Sequence, residues 1–445
     1  MIQSNHQAFN YRLSAILFGG SCHCFLLSLI VLYGSSCAQP PLIANAKLNE
    51  GRLHDTVSRV SDASGLRVNR PLSVTVVNRN ELLAIYQEGA AARNQSDLWR
   101  ARQAGYSTMG FLSGEWQDVY ENVTLFSRST AGLYVPKKQS LFVVSEPARS
   151  EKGGIFLNSL GQVGNDLTLA HEIVHALQHQ HYPEVFDFDA QTWLQQSDAI
   201  IALQAAIEGD ANYWAARSLG FMGRARDPEE VLELSRDTKF SPLSEVPSLA
   251  RERIEFPYIY GYRFAYSEGK DSLNPPPASA EQVIHIKDKG RTAFLAIDLS
   301  EVGSMVERTT GCHVNFQDTM GELMLSLWLR SFASSTDKRI WEGWDGDRWL
   351  AVECEHSREL IWLMSWDTEQ DAQEFEQALS VISGGWQQRA KLRSSLLVER
   401  RGREIVVISE GLRFQMGDLK QLAKEARVTT RAELASHFAK TIRSR

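Results

Sequence analysis

His171-Glu172-Ile173-Val174-His175-Ala176-Leu177-Gln178-His179-Gln180-His181 is the stretch on which the reading of this chain turns. Histidines four apart on a helix stand one turn above each other, so His171 and His175 can reach one metal ion. Glu172 lies beside them, where its carboxylate can take a proton from a water activated by that ion. Apolar Leu169, Ile173 and Leu177 recur on the other side, letting the helix pack while this edge faces a cleft. Asn165 and Asp166 are good N-cap residues and Pro183 is a stop, so the predicted helix begins near 165 or 166 and ends at His181.

A zinc site needs a third protein ligand. His181 stands six residues after His175, the spacing of the longer H-E-x-x-H-x-x-G-x-x-H motif, with Gln178 in place of its glycine. A left-handed turn without glycine costs about 1–2 kcal/mol. Glu208, in Ala205-Ala206-Ile207-Glu208-Gly209-Asp210-Ala211, is the other candidate and the favoured one, giving His171, His175 and Glu208 around one Zn2+ ion. Gly209 and Ala211 would let the two helices approach closely. Asp210 can hold the free nitrogen of a ligand histidine, or be an exposed helix residue. His179 continues the row of His171 and His175 but stands a turn too far to be a ligand.

The whole chain bounds this reading. Its 445 residues, 43% hydrophobic and 23% charged, fit two or three compact units and exclude disorder, collagen and a polytopic membrane protein. A formal net charge of -7 gives no reason to expect a nucleic-acid partner. Arg12 is the sole basic residue before the apolar stretch Ala15 to Tyr33; small residues and Gln39-Pro40-Pro41 follow, the pattern of an export signal over residues 1–38. A lipid on Cys37 and an uncleaved anchor are the rival readings, and membrane contact is expected only through one of these. Localisation is then periplasmic or extracellular. Cys312 and Cys354 remain in the mature chain, too far apart in sequence to judge as a pair.

Elsewhere the predicted elements are a helical lead-in over 47–64, a strand over 70–77, a helix over 81–88 and a hairpin of 131–135 with 140–144. Helices follow over 194–219 and 256–268, with a loop at 242–247 and a break at Pro275-Pro276-Pro277. Beyond Val302 the character changes: strands over 348–355 and 359–366, a helix over 372–382 opened by Asp367 and Gln370, and a hairpin of 396–399 with 404–408. G-x-S-x-G and Walker A signatures are absent from the sequence.

The motif helix resembles the "HEYVHALQDQH" helix of a poorly characterised group of bacterial exported proteins with a zincin-type motif. Glu208-Gly209-Asp210-Ala211 is similar to that group's "EGDA" block, and Phe256-Pro257-Tyr258, Gly261 and Phe264 also match. Pro276, Ser279, Glu281-Gln282 and His285 resemble "PP.S.EQ..H". Gly321-Glu322, Gly343-Trp344-Asp345-Gly346-Asp347-Arg348 and Trp366-Asp367-Thr368 resemble its "GE", "GW.GDR" and "WDT" elements. The likeness runs from about Ala131 to Leu412. It implies an α+β chain: a gluzincin-like metallopeptidase unit, with an HExxH helix and a Glu-bearing helix beside a small sheet, followed by an α+β unit. His179 departs from the group's aspartate, and the segment between Phe264 and Pro275 is short.

Oxyanions made by hydrolysis are stabilised in such enzymes by a Tyr or His besides the metal. Tyr258, with Tyr262 and Tyr266 along its helix face, and His285 are the candidates. Trp341, Trp344, Trp349, Trp362 and Trp366 are read as core packing, or alternatively as a stacking platform for ligands. The expected arrangement is a metallopeptidase domain over 39–300 (39–160 α/β, 161–300 helical) and a C-terminal domain over 301–445. The expected function is zinc-dependent cleavage of a peptide or protein substrate. A non-hydrolytic metal-binding scaffold and an amidohydrolase for non-peptide amides are the alternatives.

Overall fold

The computed structural model describes residues 43–44, 47–94, 96–111, 132–145, 155–187, 195–220, 248–286, 294–332, 337, 339–412 and 427–429. The export segment with Cys37 and the loop at 242–247 lie outside them. Among the described residues no helix is long and apolar enough to cross a membrane. Helices and sheets are mixed, as the α+β reading expects. Two compact units form, each from three pieces: Met1–Gln95, Val119–Ala190 and Leu203–Pro277 in the first, Ser96–Asp118, Gln191–Ala202 and Ala278–Arg445 in the second. The expected arrangement was instead two continuous stretches meeting at residue 300.

In the first unit, β1 (Ile43–Ala44) and β2 (Lys47–Leu48) pair ahead of the helix Glu50–Ser64. Asn49 caps that helix by accepting from the Arg52 N–H at 3.1 Å. A three-stranded sheet has the order β3 (Ser73–Val77), β5 (Ser140–Val144), β4 (Gly132–Val135). β4 and β5 are the expected hairpin, and β3 lies parallel to β5. β3 starts later than predicted because Pro71 offers no N–H to the ladder. The helix predicted over 81–88 extends over Arg79–Asn94.

The motif helix spans Ile155–His181, starting ten residues before the predicted cap. Gly161 and Gly164 precede the predicted cap, and an interior glycine costs only about 1 kcal/mol against alanine. The helix is unbroken through Gln178, whose carbonyl accepts from the Tyr182 N–H at 2.7 Å before Pro183. Ile173, Val174 and Leu177 pack with Tyr134, Leu141 and Val143 of the sheet and with Tyr213 and Trp214 of the glutamate helix, Ser197–Ser218. The sequence expectation that Gly209 lets this helix approach the motif helix is not met, because its close contact is with another helix. A Cβ there would fall 1.9 Å from the backbone carbon of Gly261, on the third helix, Ser248–Glu268.

In the second unit, a five-stranded antiparallel sheet runs β10 (Leu396–Arg401), β11 (Glu404–Ser409), β9 (Arg358–Trp366), β8 (Trp344–Glu353), β7 (His313–Asp318). β6 (Ala296–Asp298) pairs with β12 (Arg427–Thr429). The helix Glu369–Ala390 opens on a capping box of Thr368 and Asp371, one residue later than the predicted pair Asp367 and Gln370. The hydroxyl of Thr368 caps the N–H of Asp371, leaving Asp367 outside the motif. Trp344, Trp349, Trp362 and Trp366 are fully buried and Trp341 is 8% exposed, so they build the core and offer no stacking platform. Cys312 and Cys354 form a disulfide.

Candidate metal centre

Helical spacing brings His171 and His175 to one face, and the glutamate helix delivers Glu208 opposite them. His171 Nε2 lies 3.0 Å from Glu208 Oε2, His175 Nε2 lies 3.4 Å from it, and the two imidazole nitrogens are 2.9 Å apart. A tetrahedral zinc with bonds of about 2.0–2.1 Å separates its ligand atoms by about 3.3 Å, close to this triangle. All three side chains are buried, and the other carboxylate oxygen, Glu208 Oε1, has no hydrogen-bond partner. Two nitrogen donors, one anionic oxygen and an unsatisfied buried lone pair fit a divalent cation.

The far side of each imidazole is also held. His171 Nδ1 donates to Asn212 Oδ1 at 2.9 Å, and His175 Nδ1 donates to Gln178 Oε1 at 2.8 Å. Both bonds hold a proton on Nδ1, so Nε2 is the atom each imidazole would offer to a metal ion. Gln178 donates in turn to the Ile207 carbonyl at 3.1 Å and to Asp210 Oδ2 at 2.7 Å. Asp210 Oδ1 accepts from Trp214 Nε1 at 2.8 Å and Ser272 Oγ at 2.7 Å. Asp210 thus supports His175 through Gln178 and not by direct contact. Gln178, read in the sequence only as a missing glycine, and Asn212 are the supporting residues that sequence reasoning passed over. Their spacing from the histidines, i+3 on one helix and i+4 from Glu208 on the other, was the available signal.

Glu172 is 2% exposed, and its Oε2 accepts from the Tyr134 N–H of β4 at 2.6 Å. Burial pushes Glu172 up to about 8, against the pull of the His175 charge and the Tyr134 N–H. Burial works against a charge on His175, but the Glu208 carboxylate outweighs it and raises His175 to about 9. Burial and the neighbouring His175 charge lower His171. Burial opposes ionisation of Glu208, yet the two histidines hold it below the usual carboxylate range. The triangle is therefore built to attract positive charge.

His181 stands apart from this group: its Nε2 donates to the Arg67 carbonyl at 2.7 Å. With the helix unbroken, no turn brings it back toward the triangle. His179 Nδ1 pairs with the Tyr134 hydroxyl at 2.9 Å, and burial together with the Arg70 charge lowers it to about 4. Tyr258 is buried and meets the centre's support through its backbone, its carbonyl accepting from Asn212 Nδ2 at 3.4 Å. Tyr262 and Tyr266 pack around Tyr213. His285 belongs to the second unit, where its Nε2 meets Glu322 at 2.9 Å.

No curated protein and no solved structure matches the chain. Residues 308–420, a stretch of the second unit that includes none of the metal-centre residues, match a family described as a domain of unknown function (DUF8575).

Proposed function

We propose that the chain is an exported, zinc-dependent hydrolase that cleaves peptide bonds. The observation that carries this reading is Glu172, a buried carboxylate beside the His171–His175–Glu208 triangle, which a purely structural metal site would not need. His171 and His175 bind through Nε2 and Glu208 through its carboxylate, each imidazole kept in one tautomer by Asn212 or Gln178. Zinc held there supplies Lewis acidity toward a substrate carbonyl and toward water. Glu172 accepts the proton of the attacking water and returns it to the leaving nitrogen, with the Tyr134 N–H holding its Oε2 in place. The scheme assigns no step to Tyr258, whose carbonyl accepts from Asn212 Nδ2, or to His285, whose Nε2 meets Glu322.

Export is supported by the N-terminal sequence pattern and by the Cys312–Cys354 disulfide, a bond favoured in oxidising compartments. The test joins elemental analysis of the purified full chain to an unbiased peptide-library cleavage assay. The expected result is one zinc per chain and cleavage that falls about 10²–10⁴-fold in Glu172→Gln with zinc retained. Stoichiometric zinc without cleavage by the unaltered chain would favour a metal-binding scaffold instead.

A further inference from the structure

A recess of about 290 Å3, its solvent-filled mouth included, lies in the first unit where the start of β3 and the turn between β4 and β5 meet the motif helix. Its lining is divided by chemistry. Leu141 and Ala176 are buried and Leu72 is half-buried, giving an apolar floor, whereas Arg70 and Gln139 are exposed at the mouth. Arg70 is the one charged residue of the lining. Tyr134 serves both places, since it lines the recess and its N–H holds Glu172 at 2.6 Å.

The two residues at the mouth are fixed in their backbones and unengaged at their heads. Gln180 Oε1 accepts from the N–H groups of Asn69 at 2.9 Å and Arg70 at 3.1 Å, and its Nε2 donates to the Arg70 carbonyl at 3.0 Å. With the bond from His181 to the Arg67 carbonyl, these contacts clamp residues 67–70 onto the end of the motif helix. Yet among the described residues neither the Arg70 guanidinium nor the Gln139 amide has a hydrogen-bond or ion-pair partner. Lys138, outside the lining, instead lies 3.9 Å from Glu88 Oε2. Gln139 also holds φ at +47°, a left-handed conformation that glycine would adopt without steric cost. A long amide at such a position is the kind of local strain met where a side chain has a ligand to reach.

A guanidinium makes two parallel hydrogen bonds to a carboxylate, and a neutral amide beside it adds a donor without adding charge. One cation matches one negative charge, and the apolar floor matches hydrocarbon next to it. The volume sits at the lower limit of small-ligand sites, so it takes one terminal group and not a whole cofactor. We propose that the recess binds a terminal carboxylate with an adjoining aliphatic group, Arg70 and Gln139 holding the anion and the floor holding the hydrocarbon. A polypeptide C-terminus and a short aliphatic acid share that chemistry. The site goes beyond the hydrolytic reading and does not depend on it.

The test titrates the zinc-saturated full chain, by saturation-transfer NMR, with N-acetyl-leucine, its neutral amide and 4-methylpentanoate, with inorganic phosphate as competitor. Saturable binding of the carboxylates is expected, with none for the amide and no displacement by phosphate. Tighter binding of N-acetyl-leucine identifies a polypeptide C-terminus, and tighter binding of 4-methylpentanoate a free acid. Arg70→Gln should weaken binding at least about tenfold, and Gln139→Ala should weaken it less. Lys138→Gln should leave it unchanged, as should Glu208→Ala, which separates the recess from a carboxylate bound to zinc. No saturable binding, equal binding of the amide, displacement by phosphate, unaltered affinity in either recess variant, or loss of binding in Lys138→Gln or Glu208→Ala would each overturn the proposal. Because the readout is binding, a failure of hydrolysis would leave it standing.

Discussion

Asp347 in the second unit and Glu208 in the first are equally buried carboxylates, each 2% exposed, and their surroundings are opposite. Asp347 Oδ1 accepts from the Gly321 N–H and Trp344 Nε1 at 3.0 Å, and Oδ2 from the Met320 N–H at 3.0 Å and Trp362 Nε1 at 2.9 Å. Every lone-pair direction is met by a neutral donor, which ties β8 and β9 to the start of the helix Gly321–Phe332. Glu208 has two imidazole nitrogens on one oxygen and none on the other. Burial raises Asp347 to about 6, whereas the histidines hold Glu208 low. A carboxylate saturated by neutral donors locks structure, and one left with an unsatisfied oxygen beside two imidazoles can bind a cation.

The largest effect that would test this contrast is on stability. Asp347→Ala leaves four buried donors without an acceptor, at roughly 1 kcal/mol or more each. Urea unfolding followed by tryptophan fluorescence should show the second unit destabilised by about 3–5 kcal/mol, with zinc content unchanged. A parallel loss of zinc would break the separation between the carboxylate that builds and the one that binds.

A smaller effect is expected at the metal centre. Gln178→Ala removes the acceptor that orients His175 and should weaken zinc affinity about 10–100-fold, measured by competition with a chromophoric chelator. His181→Ala should leave affinity unchanged. The reverse outcome would move the third ligand to His181.

A third effect is a slope with pH. Asp347, Asp198 and Glu281 are raised to about 6, 7 and 9, chiefly by burial. An acid raised on folding stabilises fully below its unfolded value, near 4, and loses that contribution as pH climbs through the folded value. The thermal midpoint of the second unit should therefore fall from pH 5 to pH 9, and Glu281→Gln should flatten the upper part of that fall. A midpoint that rises over this range would contradict the raised values.

Much of the first unit's site was legible because its signals are local. A five-residue spacing placed both imidazoles, and an acidic residue on the next long helix supplied the third donor. What escaped was geometry that carries no chemical signature of its own. Gln178 and Asn212 are amides whose roles appear only once two helices face each other, and Asp210 acts one bond farther out than expected. The motif helix was predicted too short because Gly161, Gly164 and Asn165 weaken a local signal that the tertiary fold overrides. In the second unit the strand His313–Asp318 went unread because its polar His313, Asn315, Gln317 and Asp318 blur the alternation that marks a strand. The pairing of Cys312 with Cys354, 42 residues apart, depends on that strand meeting the end of β8.

Glu208-Gly209-Asp210-Ala211 shows how densely one helical turn can be used. Glu208 points to the histidines, Asp210 to Gln178, Ala211 into the core, and Gly209 to the backbone of Gly261. Gly261 is itself so close that its own Cβ would fall 2.1 Å from the Ala205 carbonyl oxygen. The position of Glu208 is thus set partly by two missing methyl groups, in a contact that involves neither histidine. An inventory of ligands and bases would pass over Gly209 and Gly261, although a single added carbon at either would shift the helix that carries the third donor. For anyone transplanting this centre into another scaffold, the helix crossing is as much a component as the imidazoles.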